Sequence, residues 1–494
     1  MKYLSLILLL PFFVSAQPAA DSTLLSLDSA LILLIKNNPD IQEAKYQWLS
    51  KSAIAASAYG SFEPKLVGRA HRERADRPGA LFTEAKDEYK LAVQGSLPTG
   101  TQYDVGFNQL TYKHSDYISE LYFGGELKQP LLKGFMYFAP TNEIRQARAE
   151  KEVYFQNFRK KLTEIIEQLE TTYWDFYYYL QILNFENESV EIAKTITQDA
   201  EKRLMQGKMS PLDLQKAKAE LAVRLSRQLE ALGNVRYKHS EFMLLLASPE
   251  LLNDPRPLTV HPNLNEIPDI PADSLLMIDS LKKIHPEFLG QKSEIEKRRH
   301  NRDLYKSERL PTLNLIGSYG IRARDNSAHD AVLKFRSEKR RSKVLAGGIE
   351  IEIPLFTGYR EKYIVKAEEM NIRAAQVRLN LTSHKLTEDS FLLRKRVMEL
   401  SEQMVFEKTA VEFHKKELEE EYKKLLAGKS NLHIIFDKED DLREAQKKEI
   451  EQIRLYHICL IQLQKVQGTL LIKNKLEILK DDTIYLREDL QWID

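Results

Sequence analysis

The chain has 494 residues, 29% charged and 43% hydrophobic, with a formal charge of +1. That composition suits a large folded protein, and the near-neutral balance argues against a nucleic-acid binder that relies on neutralising phosphates. A lone cysteine, Cys459, excludes an intrachain disulfide and a cysteine-rich metal site.

At the N-terminus, Lys2 precedes the apolar run YLSLILLLPFFV, and Ser15 and Ala16 follow as small residues. This pattern predicts a secretory signal, residues 1–16, cleaved between Ala16 and Gln17. No cysteine lies near that point, which argues against a lipid anchor. Further on, no apolar segment approaches the roughly 20 residues that span a bilayer as a helix. The mature chain is therefore expected in the periplasm, outside the cell, or in a membrane as a β-barrel.

The prolines reveal a tandem repeat. NNPDIQEAK (37–45) and IHPEFLGQK (284–292) each open a helical pattern, and FEPKLVG (62–68) and LPTLNLIG (310–317) follow at the same distance; Pro39 to Pro286 and Pro64 to Pro311 are both offsets of 247. QPLLKG (129–134) matches IPLFTG (353–358) at offset 224, and LMQGKMSPLDL (204–214) matches LLAGKSNLHII (425–435) at offset 221. The first repeat covers 17–247 and the second 275–480, separated by a proline-rich linker, 248–274, that reads as irregular, and followed by a C-terminal tail, 481–494. Each repeat runs in the order short helix, strands, long helix, glycine turn, long helix.

The strands, expected at about 64–130 and 311–353, alternate. Leu313, Leu315, Tyr319 and Ile321 share one face of their segment against Asn314, Ser318 and Gly320, and Ile349, Ile351 and Ile353 oppose Glu350 and Glu352. Segments of about ten residues with this alternation suit a barrel with lipid outside and water inside, although alone they fit a half-buried soluble sheet equally well. The stretch 88–112 alternates on both sides of an LPTG turn and forms an extra hairpin in the first repeat, inside or outside the barrel. Pro130 and Pro354, with Gly134 and Gly358 just beyond, mark the change from strand to helix, where the ladder is expected to stop.

The long helices are predicted at 141–205 and 211–247, and again at 359–427 and 432–480, rich in Ala, Leu, Glu, Lys, Gln and Arg. Leu221, Leu225, Leu229, Leu232 and Val235 step as a coiled-coil seam. The charged run KKELEEEYKK (415–424) reads as a solvated face, and the aromatic run YWDFYYY (173–179) as packing between helices.

LPTLNLIGSYGI (310–321), IEIPLFTG (351–358), QPLLKG (129–134) and the two glycine turns QGKMSPLDLQKAKAEL (206–221) and AGKSNLHIIFDKEDDL (427–442) occur in that ordered set, and the chain thereby resembles the TolC family of outer-membrane efflux proteins. The resemblance implies a membrane α+β fold: a tandem-repeat protomer giving strands to a trimeric outer-membrane β-barrel and two long helical hairpins to an α-helical periplasmic tunnel. It implies a homotrimer with four strands per chain, a passive channel-tunnel of a tripartite efflux pump or type I secretion system, and as partners a periplasmic adaptor, an inner-membrane pump and outer-membrane lipid. It places the turns at Gly207 and Gly428 at the periplasmic tip, where acidic side chains ring the entrance. Matched from the glycines, the candidates are Asp213 and Asp437, with Asp440 or Asp441 supplying a second ring if the helix is rotated; a latching arginine of the family falls on Ser430, and one acidic position on Ile434.

No catalytic motif, cofactor loop or histidine ligand spacing is evident, so the chain reads as a non-enzyme without cofactor, catalytic residues or resident metal. The competing reading is a periplasmic coiled-coil adaptor or scaffold without a pore, which has no need of alternating strands before both helical hairpins. The basic stretch KFRSEKRRSK (334–343) falls between the second-repeat strands, outside the cell if the resemblance holds, as a solvated loop or a contact for anionic lipid headgroups.

Overall fold

The computed structural model describes residues 23–75, 84–113, 117–135, 139–207, 209–252, 258–260, 262, 282–353, 359–426, 429–478, 484–486 and 492–493. The predicted signal, Pro354, Gly358, Gly428 and most of the linker lie outside them. The chain divides into two compact units: a helical unit of 1–45, 158–286 and 383–494, and a sheet unit of 46–157 and 287–382.

In the sheet unit, the described residues form one six-stranded antiparallel sheet of β2 (Lys65–Ala75), β3 (Glu84–Ser96), β4 (Gln102–Lys113), β5 (Tyr117–Pro130), β7 (Thr312–Asp325) and β8 (Ser342–Glu352), neighbours in that order. The hairpin at 88–112 therefore joins the sheet, as β3 and β4 between the strands that the resemblance would leave adjacent. Its LPTG turn closes through Leu97, whose backbone N–H donates to Thr101 O at 2.8 Å, with Gly100 at φ +87°. A Cβ at Gly100 would strike Gly134 O, so the turn needs glycine for its torsion and for its close approach to the end of β5.

Strand pairing does not stop at Pro130. Leu131 N donates to Leu313 O at 2.7 Å and Lys133 N to Pro311 O at 3.3 Å, and the chain turns at Gly134, φ +79°. Proline forfeits only its own donor, and the glycine four residues on makes the break.

α3 (Asn142–Met205) and α4 (Pro211–Leu246) form the first helical hairpin, and α8 (Tyr359–Leu426) and α9 (Leu432–Val466) the second. Shorter elements precede and link them: β1 (Thr23–Leu25), α1 (Leu27–Asn37), α2 (Pro39–Ser57), α5 (Pro249–Leu252), β6 (Leu258–Val260), α6 (Pro286–Glu308) and α7 (Ala328–Arg336). Ser210 caps α4, with Pro211 in its first turn and Ala247 left-handed at its end, φ 47°. Asn431 caps α9 through Ile434 N at 3.1 Å.

Two expectations change. The last long helix stops at Val466, not near Lys480, because Gly468 adopts φ +68°; α10 (Leu470–Lys473), β9 (Leu476–Ile478), β10 (Ile484–Leu486) and β11 (Trp492–Ile493) follow. The proline-rich linker is not wholly irregular either, since β6 pairs in parallel with β1 through Leu24↔Thr259. Among the described residues, no helix is long and apolar enough to cross a membrane.

The helical unit buries the aromatic run: Tyr173, Trp174, Phe176 and Tyr177 are buried, with Phe242 packing edge-on to Tyr173 at 6.2 Å and Trp174 stacked on His457 at 3.6 Å. Before Phe242, Met243 and Leu246, the buried stripe of α4 is Ala217, Arg224 and Ala231, seven residues apart. Of the leucine seam read from the sequence, Leu225 and Leu229 face outward, at 38% and 68% exposure, while Leu221, Leu232 and Val235 are half-buried.

Candidate channel wall and helical tip

The sheet presents two unlike faces. Antiparallel pairing aligns side chains of equal parity across strands, so Val93↔Val105, Phe107↔Phe123, Phe123↔Ile321, Leu315↔Ile349 and Leu313↔Ile351 belong to one face. With Leu66 at one edge and Leu345 at the other, apolar side chains cover all six strands on this side, and they are solvent-exposed, Leu66 at 72% and Leu345 at 83%. From Leu313 to Ile321 the face runs over nine residues, roughly 26 Å along the strand at about 3.3 Å per residue, within the length a tilted strand needs to cross a bilayer.

The opposite face is polar. Lys65, Gln94, Asp104, Glu126 and Lys128 line a concavity of about 400 Å³. Gln94 donates to Asp104 at 2.7 Å, Lys128 pairs with Glu350 at 2.5 Å, and Asn314 donates to the same Glu350 oxygen at 2.7 Å. Arg322 and Arg324 converge on Glu120 at 2.9 and 2.6 Å. Glu350 and Glu352 lie on this side, as their alternation predicts. A row of small residues, Ala92↔Gly106↔Gly124↔Gly320, crosses it, and a Cβ on Gly320 would come within 2.6 Å of Phe123 O and of the Tyr122 ring. Glycine here lets neighbouring backbone and the Tyr122 ring approach closely.

In the helical unit, the four long helices meet at Arg224, which has 0% exposure. Its guanidinium donates to Glu439 Oε2 at 2.7 Å, Ser189 Oγ at 2.9 Å and Glu220 Oε1 at 3.0 Å, and lies 5.0 Å from the Phe436 ring. Tyr422 donates to the other Glu439 oxygen at 2.6 Å. Thus α3, α4, α8 and α9 each contribute. Burial raises the Glu439 carboxyl above its ordinary range against the pull of Tyr422 and Arg224, and burial raises the Tyr422 phenol likewise. Beyond this knot, acids of α3 meet cations of α9 and α10: Glu170–Lys473 at 2.7 Å, Glu167–Lys465 at 2.6 Å, Asp175–Arg454 at 2.8 Å and Glu186–Lys447 at 2.6 Å.

The predicted tip residues are distributed unevenly. Gly207 is left-handed at φ +68° and exposed. Asp213 is exposed in the first turn of α4, where its N–H donates to Ser210 Oγ at 3.2 Å and its carboxylate accepts from that hydroxyl at 2.8 Å. Asp437 is exposed on α9, 3.7 Å from His433 Nδ1. Asp440 is half-buried and engaged by Arg443 at 2.9 Å and by Arg224 and Arg227 at 3.7 Å. Its charge is thus offset by arginines of α4 and α9. Ser430 donates to Glu421, closing the turn between α8 and α9, and Ile434 is exposed.

Sequence reading missed Arg224, Glu439, Tyr422 and Ser189. The available signal was one arginine interrupting the alanines of a heptad stripe. KKELEEEYKK is likewise not wholly solvated, since Leu418 and Glu421 are buried and Tyr422 belongs to the knot.

Comparison places this architecture among known proteins. Residues 31–246 match the family model described as outer membrane efflux protein. The solved CmeC outer membrane channel of Campylobacter jejuni superposes with a TM-score of 0.65 at 16% identity, covering 90% of this chain and 86% of that one. This is the fold of an outer-membrane efflux channel. The VceC outer membrane protein of Vibrio cholerae gives 0.61 at 12% identity (90% and 96% covered), and the open-state MtrE outer membrane channel of Neisseria gonorrhoeae 0.62 at 12% (90% and 89%). A search of curated proteins finds no match. The efflux-channel likeness read from the sequence, to the TolC family, is borne out by the family match and by a fold shared over nine-tenths of the chain.

Proposed function

We propose that three copies of this chain close a single barrel in the outer membrane, each β8 pairing with the β2 of the next copy, while the helical hairpins form a tunnel in the periplasm. The observation that carries this reading is the sheet: apolar and exposed on one face, polar on the other, with two edges unpaired among the described residues. Open edges are not tolerated in lipid, and six strands are too few to close. Three copies of six give an eighteen-stranded barrel where the resemblance implies twelve, wide enough for an aqueous channel. Exposed apolar rows on α4 (Leu225, Leu229) and α8 (Phe391, Val405, Phe406, Phe413) suit faces covered by neighbouring copies.

The channel is a passive conduit for export, working with a periplasmic adaptor and an inner-membrane pump of a tripartite efflux or type I secretion system. Asp213 and Asp437 stand at the tip, where threefold symmetry turns each into a ring of three that favours cations over anions. Fractionation with planar-bilayer recording tests this. Recovery in the outer membrane as a trimer that conducts is expected, whereas recovery in the soluble periplasm without conductance overturns it in favour of a coiled-coil scaffold.

A further inference from the structure

The connection between β7 and β8 carries α7 and the basic stretch that follows it, and the channel reading leaves both unused. Ser327 caps α7 by accepting from Asp330 N at 3.1 Å. The helix packs on β5 and β7, with Ala331 fully buried and the Phe335 ring 6.2 Å from that of Phe107. Phe107 belongs to the apolar face, and Ser119 and Ala323, of the same parity, are buried. Lys334 Nζ ties the helix down by donating to Arg324 O at 3.0 Å. Accordingly α7 lies against the lipid-facing side of the sheet, at the end away from the LPTG turn and Gly134.

Asp325 and Asp330 lie at the start of α7, but from its last turn onward the charge is one-sided. Between 334 and 343 the sequence has six cations and one acid, Glu338, which pairs with Arg341 at 3.4 Å. Arg336, Lys339, Arg340 and Lys343 are exposed and have no carboxylate within salt-bridge distance among the described residues. Lys343 stands opposite Ile321, on the apolar face and one outward position above Leu345. A lysine there keeps its stem on lipid and its ammonium at headgroup level. Exposed Leu333 on α7 adds apolar surface beside the cations. Cations stacked directly above an apolar band match a ligand with phosphates above acyl chains.

We infer that α7 and residues 336–343 form a binding surface for phosphate-bearing lipid of the outer leaflet. The inference rests on the outer-membrane reading, which fixes this end as the outer one because the chain passes from β5 toward α3 and from β8 toward α8 at the other. Aliphatic contact alone would bind any lipid; the four cations make the surface selective for anionic headgroups.

The test uses the purified full-length chain reconstituted in phosphatidylcholine with or without a minor fraction of lipid A. It compares the native sequence, the four-site variant R336Q/K339Q/R340Q/K343Q, and a charge-matched control, R360Q/K362Q/K366Q/R373Q. The native chain and the control should retain lipid A through detergent exchange, at least about tenfold more than the four-site variant, with retention falling as salt rises. All three should conduct equally in pure phosphatidylcholine. Equal retention by the four-site variant overturns the inference while conductance leaves the channel standing. Failure of the native chain to insert or conduct overturns the channel reading and this one with it. Should the four-site variant fold poorly, Arg336→Gln and Lys343→Gln singly must each lower retention; if neither does, the inference is wrong.

Discussion

Arg224 on α4 and Glu439 on α9 meet at 2.7 Å, both buried, and they join the two helical hairpins of one chain. Removing one partner leaves the other charge buried without its counter-ion, which costs about 3–5 kcal/mol, whereas removing both with apolar replacements is close to neutral. Arg224→Ala is therefore expected to lower the midpoint of chemical denaturation strongly, and Arg224→Met with Glu439→Leu to recover most of the loss. A double-mutant cycle with no coupling would show that the pair does not join the hairpins.

His457 sets an acid limit on the same unit. Stacked on Trp174 at 3.6 Å, its imidazole is pushed down to about 3 by burial and then by Lys473. The unfolded chain takes up the proton near pH 6.5 and the folded chain does so only near pH 3. Stability is thus full above pH 6.5 and falls as the pH drops from there toward 3, by on the order of 2 kcal/mol once partial exposure is discounted. Thermal melts at pH 7 and pH 4 should show the loss, and His457→Phe should reduce it. An unchanged pH slope in the variant would exclude this histidine.

These two groups also show where sequence reading stops. The repeat was legible because prolines and glycines punctuate a chain locally, and the faces of β7 and β8 because alternation is a property of consecutive residues. Membership of the 88–112 hairpin in the sheet depends on register, as in Phe107↔Phe123, which no local pattern encodes. Arg224 was hidden because Leu221, Leu225 and Leu229 form the more obvious stripe, and the stripe that packs within the chain is made of small residues around one charge. The end of α9 was overrun because TLLIK continues the apolar pattern past Gly468, whose torsion alone ends the helix.

The two sheet faces should respond oppositely to charge. Ile349→Arg places a guanidinium in the apolar band and is expected to cost about 2–4 kcal/mol near its middle, while Ser318→Arg, on the polar face, should cost little. Refolding into lipid vesicles, read by heat-modifiable migration on gels, separates the two. Equal tolerance would mean that the apolar face does not meet lipid.

Close approach of the strands rests on the glycine row. A Cβ at Gly106 would collide with Leu91 O and Ala92, and one at Gly320 with Phe123 O, both fixed backbone, whereas Gly348 has open space around it. Gly106→Ala and Gly320→Ala should sharply reduce assembled protein in the outer membrane, and Gly348→Ala should leave it near native levels. Similar yields for all three would show that the sheet does not need this close approach.

The last expectation concerns the tip, where Asp213 and Asp437 are exposed while Asp440 is held by arginines. If exposed carboxylates on a threefold axis set ion preference, Asp213→Asn and Asp437→Asn should each reduce cation over anion selectivity, and the double variant more than either. Asp213 also serves α4 as a first-turn acid beside its Ser210 cap, so its loss should cost about 0.5–1 kcal/mol of helix stability as well. Asp440→Asn should act differently: it leaves Arg443 short of a partner and lowers stability, with selectivity unchanged. Reversal potentials in asymmetric potassium chloride report the first effect and denaturation the second. A selectivity change from Asp440→Asn as large as that from Asp437→Asn would mean that the helix is rotated and that the ring is built from the inner acid.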